Sequence, residues 1–258
     1  MAISAVGGTK TPDPYPTNTS TNTSTCNIAK PGSVVPGDVM LAFIITANAI
    51  ITPPAGWTLI HNYVHPTVSF VTNAYYRVAG GSEGASYTFT DDNSNAAPMC
   101  GAIYAFRGVD NTTPVDAQTN SSTTGTDTVS TPNITTTATC LLLHFRASRE
   151  LISAGSTITS EPSFTTTGVS TRLQFGSRGG TVAYGGRLVT DGVVQVAPGT
   201  HGGVSFDAND VITASVERTI GLRAAGADLS ASPTAVASAT GTSNKPTPAI
   251  RPRAQVIG

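Results

Sequence analysis

The stretch VMLAFIITA, residues 39–47, decides how the rest of the chain is interpreted. It is almost entirely apolar, and the turn sequence Pro36-Gly37-Asp38 stands directly before it. Short apolar runs bounded by turn residues are typical of buried strands. We therefore predict a buried β-strand from Val39 to Ala47.

Further strands are predicted on the C-terminal side of this run. In TVSFVTNAYYRVA, residues 67–79, one parity carries most of the apolar side chains, which predicts a half-buried strand with a polar opposite face. Tyr87 and Phe89 share one side of a short strand in SYTFT, residues 86–90. Other strands are predicted at 99–107, 140–147, 171–175, 181–189 and 211–223.

The composition favours strands and turns over helices. The chain has 41 Thr, 26 Gly and 17 Pro but only three Lys, and no window keeps a 3.6-residue period. Short strands at regular spacing between Gly and Pro turns predict an all-β protein, a jelly-roll-like antiparallel β-sandwich of two sheets packed through their apolar faces.

One β-sandwich domain is predicted over residues 1–223, in which residues 1–36 form a polar strand or loop region. Residues 224–258 are rich in Ala, Ser, Thr and Pro and contain no aromatic residue. Such a segment buries too little apolar area to order itself, so we predict an extended C-terminal arm that lies on neighbouring subunits.

The charge and the absence of targeting signals limit the kinds of partner and the location that we expect for this protein. Charged residues make up 11% of the chain, the net charge is −1, and no basic block occurs, so neither nucleic acid nor membrane insertion is expected. The N-terminus lacks the pattern of a signal peptide, which predicts synthesis in a cytoplasm without an export signal of its own. Cys26, Cys100 and Cys140 are far apart and odd in number, so we expect three buried free thiols.

Arg107, Asp110 and Asp116 in AFRGVDNTTPVD have two interpretations. They could form a carboxylate site, or Arg107 could end a strand while Asp110 shapes the following turn; we favour the second. A glycan-degrading enzyme is a weaker alternative, which would need Asp91 or Asp92 to meet distant acids such as Glu83 or Glu161 across a cleft. We expect no catalytic residue.

Metal and cofactor sites are not expected. The oxygen-rich loop Asp91–Asn95 resembles a calcium loop in composition but not in spacing, so calcium binding there stays open. His61 and His65 would share a strand face too far apart to hold one metal. No cofactor is predicted.

Trp57 and Tyr75 are the candidates for stacking on a sugar. Trp57 is the only tryptophan, and in PAGWTLI it precedes an apolar alternation, which favours a core position. An exposed pair would instead indicate a carbohydrate-binding module.

Five segments in order resemble a β-sandwich domain found in minor tail and other virion structural proteins of tailed bacteriophages, and also in bacterial surface proteins. They are PGDVMLAFI (36–44), PPAGWTLI (53–60), AYYRVAGGSEGASYTFT (74–90), GAIYAFRGVDNTTPVDA (101–117) and TPNITTTATCLLLHF (131–145). The resemblance covers residues 30–223 and attaches no catalytic residue to these motifs.

The resemblance implies a non-enzymatic virion structural protein, made in the host cytoplasm and located on the virion surface as a capsid decoration, fibre or minor tail protein. Its expected partners are copies of itself and other capsid or tail proteins. Adhesion to a host-surface glycan is a secondary hypothesis.

Overall fold

A computed structural model provides the architecture. It describes residues 1–11, 22–47, 51–92, 97–151, 164–165, 170–179, 182–190, 195–208 and 212–226.

The all-β, antiparallel prediction is confirmed: the described residues form strands and turns, and every strand pair among them is antiparallel. The described residues contain no helix with the length and apolar character that a membrane crossing would require. The strands are β1 (Ser4–Thr11), β2 (Asn22–Thr23), β3 (Thr25–Ala29), β4 (Val39–Thr46), β5 (Ile51–Thr52), β6 (Thr58–Val64), β7 (Val71–Val78), β8 (Ser86–Asp91), β9 (Ala97–Arg107), β10 (Val115–Thr124), β11 (Thr128–Ser130), β12 (Ile134–Thr136), β13 (Cys140–Leu151), β14 (Phe164–Thr165), β15 (Ser170–Gly179), β16 (Val182–Thr190), β17 (Gly199–His201), β18 (Ser205–Ala208) and β19 (Ile212–Arg223).

Two large sheets form the body of the protein. The first, sheet I, has the order β1-β9-β4-β7-β6, with β2 also paired to β9. The second, sheet II, has the order β10-β19-β13-β16-β15. Three small sheets complete the fold: β3-β8-β5, β11-β18-β14 and β12-β17.

The predicted buried strand at 39–47 is β4, and all eight of its residues are buried. Leu41 and Phe43 face the core shared with sheet II, whereas Met40 and Ala42 face a separate core on the opposite side. Both faces of a strand in the middle of sheet I are therefore covered by protein, which explains why this run is apolar without alternation.

The main core lies between sheets I and II. Phe43 of β4 stacks on Phe145 of β13 with ring centroids 4.4 Å apart, and Phe145 stacks in turn on Phe175 of β15. These rings are all buried, and the two inner faces together supply one continuous apolar cluster. Aromatic stacking of this kind adds to the stabilisation from burial alone.

The second core lies between sheet I and the small sheet β3-β8-β5. Trp57 contacts Tyr87 and Phe89 there with its ring edge-on, and the alternation predicted for Tyr87 and Phe89 is confirmed. The prediction of a polar exposed face for β7 is wrong, because Asn73 and Tyr75 on that face are buried beneath this third sheet.

The two-layer prediction is incomplete for the same reason. The outer face of sheet II is also covered: Val129, Phe206 and Val189 form one cluster there, and Ile134 and Leu142 belong to another. Small sheets thus lie outside both large ones, and the sandwich has additional layers.

The C-terminal boundary differs from the prediction at 223. Ala224 is buried and its N–H donates to the Thr139 carbonyl, while the N–H of Ala225 donates to Gly108 and the N-terminal amine donates to the Ala225 carbonyl. The body of the protein therefore extends at least to Ala225. The remainder of the predicted arm, 227–258, lies outside the described residues.

Candidate functional site

Arg107 lies at the end of β9 and pairs with Asp38, not with Asp110 or Asp116. Its Nε donates to Oδ1 of Asp38 at 2.8 Å and its Nη2 donates to Oδ2 at 2.8 Å. Burial raises the pKa of Asp38, but hydrogen bonds from Arg107 and from the N–H of Val35 outweigh it, so the pKa lies below its ordinary value. The pair ties the end of β9 to the start of β4.

Asp110 shapes the turn after β9, as predicted. Its Oδ1 accepts the N–H groups of Thr112 at 2.8 Å and Thr113 at 2.7 Å, an arrangement typical of Asp in turns. Gly108 beside it has φ +81°, and an added Cβ would approach the Ala2 carbonyl, so this turn requires glycine.

Asp116 is held separately at the start of β10. It accepts hydrogen bonds from the N–H of Thr137 at 2.6 Å, the Thr137 hydroxyl at 2.7 Å and Nη2 of Arg223 at 2.8 Å. Burial raises the pKa of Asp116, but these bonds outweigh it and hold the pKa below its ordinary value. This carboxylate joins β10, β19 and the loop before β13.

Glu83, a candidate acid in the enzyme alternative, is also held by structural partners. It accepts from Nε of Arg77 at 2.9 Å, the N–H of Gly80 at 2.6 Å and the hydroxyl of Tyr87 at 2.5 Å. Glu161 lies outside the described residues. The described carboxylates that the sequence singled out therefore form separate structural pairs and do not converge in a cleft.

The structure describes only part of the loop Asp91–Asn95, which was considered for calcium binding. Asp91 is buried at the end of β8, Asp92 accepts two hydrogen bonds from the Thr52 hydroxyl, and residues 93–96 lie outside the described residues. Within the part of the chain that is described, no three His, Cys, Asp or Glu side chains come together to hold a metal ion.

Trp57 and Tyr75, the candidates for sugar stacking, are both buried, with 7% and 2% of their surface exposed. The Tyr75 hydroxyl donates to the Ile51 carbonyl at 2.9 Å. A stacking platform needs an open ring face, which neither side chain provides. The core interpretation of Trp57 is confirmed, and the stacking interpretation is corrected on this ground.

His61 and His65 have separate surroundings, as their predicted distance along a strand implied. Nε2 of His65 donates to the Thr123 carbonyl at 3.2 Å, while its Nδ1 accepts from the N–H of Thr67 at 3.4 Å. His61 faces sheet II near Arg218. The three cysteines are free and buried, as predicted, and burial raises the pKa of Cys26 to about 12.

The most distinctive surface is the side of the sandwich where β6 and β10, the last strands of sheets I and II, lie next to each other. We call it the β6–β10 edge. The Tyr63 hydroxyl and the Ser122 hydroxyl share a hydrogen bond of 2.7 Å across it, and His65 bonds the Thr123 carbonyl. Leu59 and Val64 of β6 are 52% and 57% exposed at the same edge.

Strand β10 is a long sheet edge without the usual protection. Residues 117–124, AQTNSSTT, contain no charge, Pro or Gly and stay in unbroken register with β19 from Ala117 to Thr124. Within the described part of the chain, the backbone of residues 118–122 has no hydrogen-bond partner beyond this ladder. Such an edge offers a row of donors and acceptors to another strand.

The other long edges are interrupted. A register shift breaks β1 between Ala5 and Gly7, β6 between Leu59 and His61, and β15 between Thr171 and Leu173. The shift in β10 falls at its very start, before Ala117, and leaves eight straight residues. Bulges hinder edge-to-edge pairing, so β10 is the described edge best suited to it.

This edge was not predicted from the sequence. The only signal for it is the uncharged and mostly polar eight-residue run at 117–124, which follows the RGVD turn and Asp116. Polar strands of this kind carry no hydrophobic alternation, so periodicity alone does not separate them from loops. A scan of family models, a search of curated proteins and a search of solved structures each found no significant match to this chain.

Proposed function

We propose that the protein is a non-enzymatic structural subunit of a tailed-bacteriophage particle, held on the virion surface by contacts between neighbouring subunits. The observation that carries the proposal is the edge of β10, which keeps an unbroken register over eight residues and whose backbone at 118–122 has no partner outside the β10–β19 ladder among the described residues. We further propose that a strand of a neighbouring subunit pairs with it, either from another copy or from another capsid or tail protein.

Two further observations support this proposal. The described carboxylates of the RGVD region and Glu83 are engaged in structural hydrogen bonds, which agrees with a role in holding shape. The ordered resemblance of five segments to virion β-sandwich domains provides the class of particle. Capsid decoration, fibre and minor tail positions all remain compatible with these features.

The burial of Trp57 and Tyr75 removes the aromatic pair on which the carbohydrate-binding alternative depended. Host adhesion through other glycan contacts stays a secondary hypothesis. A glycan array with the purified protein tests it: a reproducible sugar signal would support adhesion, and a blank array would remove it.

The edge is tested with Thr119→Lys, which places a charge in the middle of β10. Thr90→Lys is the matched control, because Thr90 is an exposed Thr on β8, the central strand of its small sheet. When the variants replace the wild-type protein during particle production, we expect Thr119→Lys to be lost from particles and Thr90→Lys to be retained. Equal incorporation of two folded variants would refute pairing at β10.

A further inference from the structure

Arg218 is a completely buried charge on the inner face of sheet II. It lies on β19 between Val216 and Ile220, both members of the core shared with sheet I, and its own exposure is 0%. Glu217, the adjacent residue, projects to the opposite face of the sheet towards Arg146. The side chain of Arg218 therefore lies between the two large sheets.

Arg218 has very little to compensate its charge. Its one hydrogen bond within the described residues is a 3.4 Å contact from Nη2 to the Thr72 hydroxyl, and its Nε and Nη1 have no partner. None of the ion pairs between described residues includes it. Burial lowers the pKa of Arg218 to about 9, which still leaves the guanidinium charged at neutral pH.

The groups around Arg218 are polar and also lack partners. Nε2 of His61 on β6 and Oε1 of Gln118 on β10 are buried without a hydrogen bond. Asn120 stands directly opposite Arg218 in the β10–β19 ladder and so shares its face. Burial and the charge of Arg218 both lower the pKa of His61, which marks the space between these strands as electropositive.

A buried charge without a counter-ion is among the most costly features that a fold can contain. No acid of the described strands around Arg218 faces it. β6 and β7 contain no Asp or Glu, and Asp116 of β10 is held by Thr137 and Arg223. Glu217 of β19 and Glu150 of β13 lie near Arg146, on the opposite face of sheet II. A negative charge placed beside Arg218 would therefore stabilise the fold.

We propose that Arg218 forms the centre of a binding site for a small monovalent anion, a halide or a carboxylate group, which enters from the β6–β10 edge. The Nε–H and Nη1–H groups of Arg218 point in different directions, so one of them donates to the anion, with the side chains of His61 and Asn120 beside it. One guanidinium without a second cation nearby balances a single negative charge, so a monovalent anion leaves no net charge in the buried site. The Tyr63–Ser122 hydrogen bond closes the same edge over the site.

The test compares the wild type with Arg218→Met, which keeps an unbranched side chain as far as the position of Nε and removes the guanidinium charge. Both are melted in increasing sodium chloride or sodium formate, with ionic strength held constant by sodium methanesulfonate, whose anion is larger than chloride and formate and carries no carboxylate. In the wild type, Tm should rise saturably, by roughly 5 to 10 °C at about 100 times the dissociation constant. Arg218→Met should not respond.

A response to chloride assigns a halide site, and a response to formate alone assigns a carboxylate site, which a side chain of a neighbouring subunit could also fill. The absence of a rise with either salt, or an equal rise in the variant, would overturn the proposal. If Arg218→Met does not fold, a measurement on the wild type alone still tests the anion site. Its His61 pKa, followed by NMR and assigned with His61→Gln, should rise when the anion binds, and an unchanged value contradicts the site.

Discussion

Arg146 of β13 and Glu217 of β19 stand opposite each other in neighbouring strands, and both side chains are completely buried, with Nε and Oε1 3.9 Å apart. Arg146 also donates to the carbonyls of Asp127 at 2.7 Å and Thr126 at 3.1 Å. The pair therefore joins the outer face of sheet II to the chain that leads into the small sheet β11-β18-β14.

Arg146→Met should destabilise the protein strongly, because it leaves the Glu217 carboxylate buried without its cation. Losing one partner of a buried ion pair lowers the free energy of unfolding by about 3–5 kcal/mol. Adding Glu217→Gln should recover part of that loss, since no charge is then left unpaired. Urea unfolding of the wild type and the two variants measures this, and a double variant less stable than Arg146→Met would contradict the coupling.

Asp116→Asn should cost about 2–3 kcal/mol of unfolding free energy. The substitution removes a buried charge that accepts three hydrogen bonds, two of them from Thr137 and one from Arg223. Asp92→Asn is the matched control, because exposed Asp92 bonds only the Thr52 hydroxyl among described residues, and it should cost less than about 1 kcal/mol. Equal losses in the two variants would show that the Asp116 contacts contribute little.

Acid should destabilise the protein below about pH 4. The pKa values of Asp38, Asp110, Asp116 and Glu83 are all held below their ordinary values of 3.8 for Asp and 4.5 for Glu. The folded state thus binds fewer protons than the unfolded one in this range, so the stability is present above the ordinary values and is lost as the pH falls through the folded ones.

Glu217 acts in the opposite direction, because burial raises its pKa and its charge costs stability at neutral pH. Because four carboxylates have lowered pKa values and only one has a raised pKa, the urea midpoint should still decrease when the pH is lowered from 5 to 2. In Asp116→Asn the fall should be smaller. A midpoint that rises on acidification would contradict the assigned directions.

Gly203→Ala should be far more costly than Gly202→Ala. A methyl group at Gly203 would overlap the carbonyl oxygen of Thr131, a backbone atom that cannot turn away, whereas a methyl at Gly202 meets nothing within 4 Å. We expect Gly203→Ala to lower the free energy of unfolding by about 2 kcal/mol or more and Gly202→Ala by less than about 1 kcal/mol. Thermal melts of the two adjacent variants measure the difference directly.

Much of the strand pattern was predictable from the sequence. The predicted burial of the run at 39–47 is correct for Val39–Thr46, and the predicted alternation of Tyr87 and Phe89 is also correct, because apolar side chains there face apolar neighbours. The turn roles of Arg107 and Asp110 also followed from ordinary turn chemistry.

The additional layers were not predictable from polarity. Asn73, His144, Arg146 and Arg218 are buried although their side chains are polar, because a second sheet or a distant loop covers them. A pattern that treats polar residues as exposed assigns such faces to solvent. Only the pairing of distant strands, such as β13 with β19 or β10 with β19, brings these groups inside.

The edge of β10 could not be predicted from the sequence for a related reason. A strand is the edge of a sheet when it pairs with only one neighbouring strand. The local sequence AQTNSSTT does not show how many neighbours this strand has. Its uncharged composition became informative only once the order of sheet II placed it outermost.

The claim that this protein is a structural subunit of a virion is tested most directly by quantitative mass spectrometry of particles purified to constant composition. The account predicts peptides of this chain in the particles, at a fixed ratio to the major capsid or tail protein that survives further purification. Peptides found only in the soluble fraction of the lysate, or a ratio that falls towards zero as the particles are purified, would contradict it.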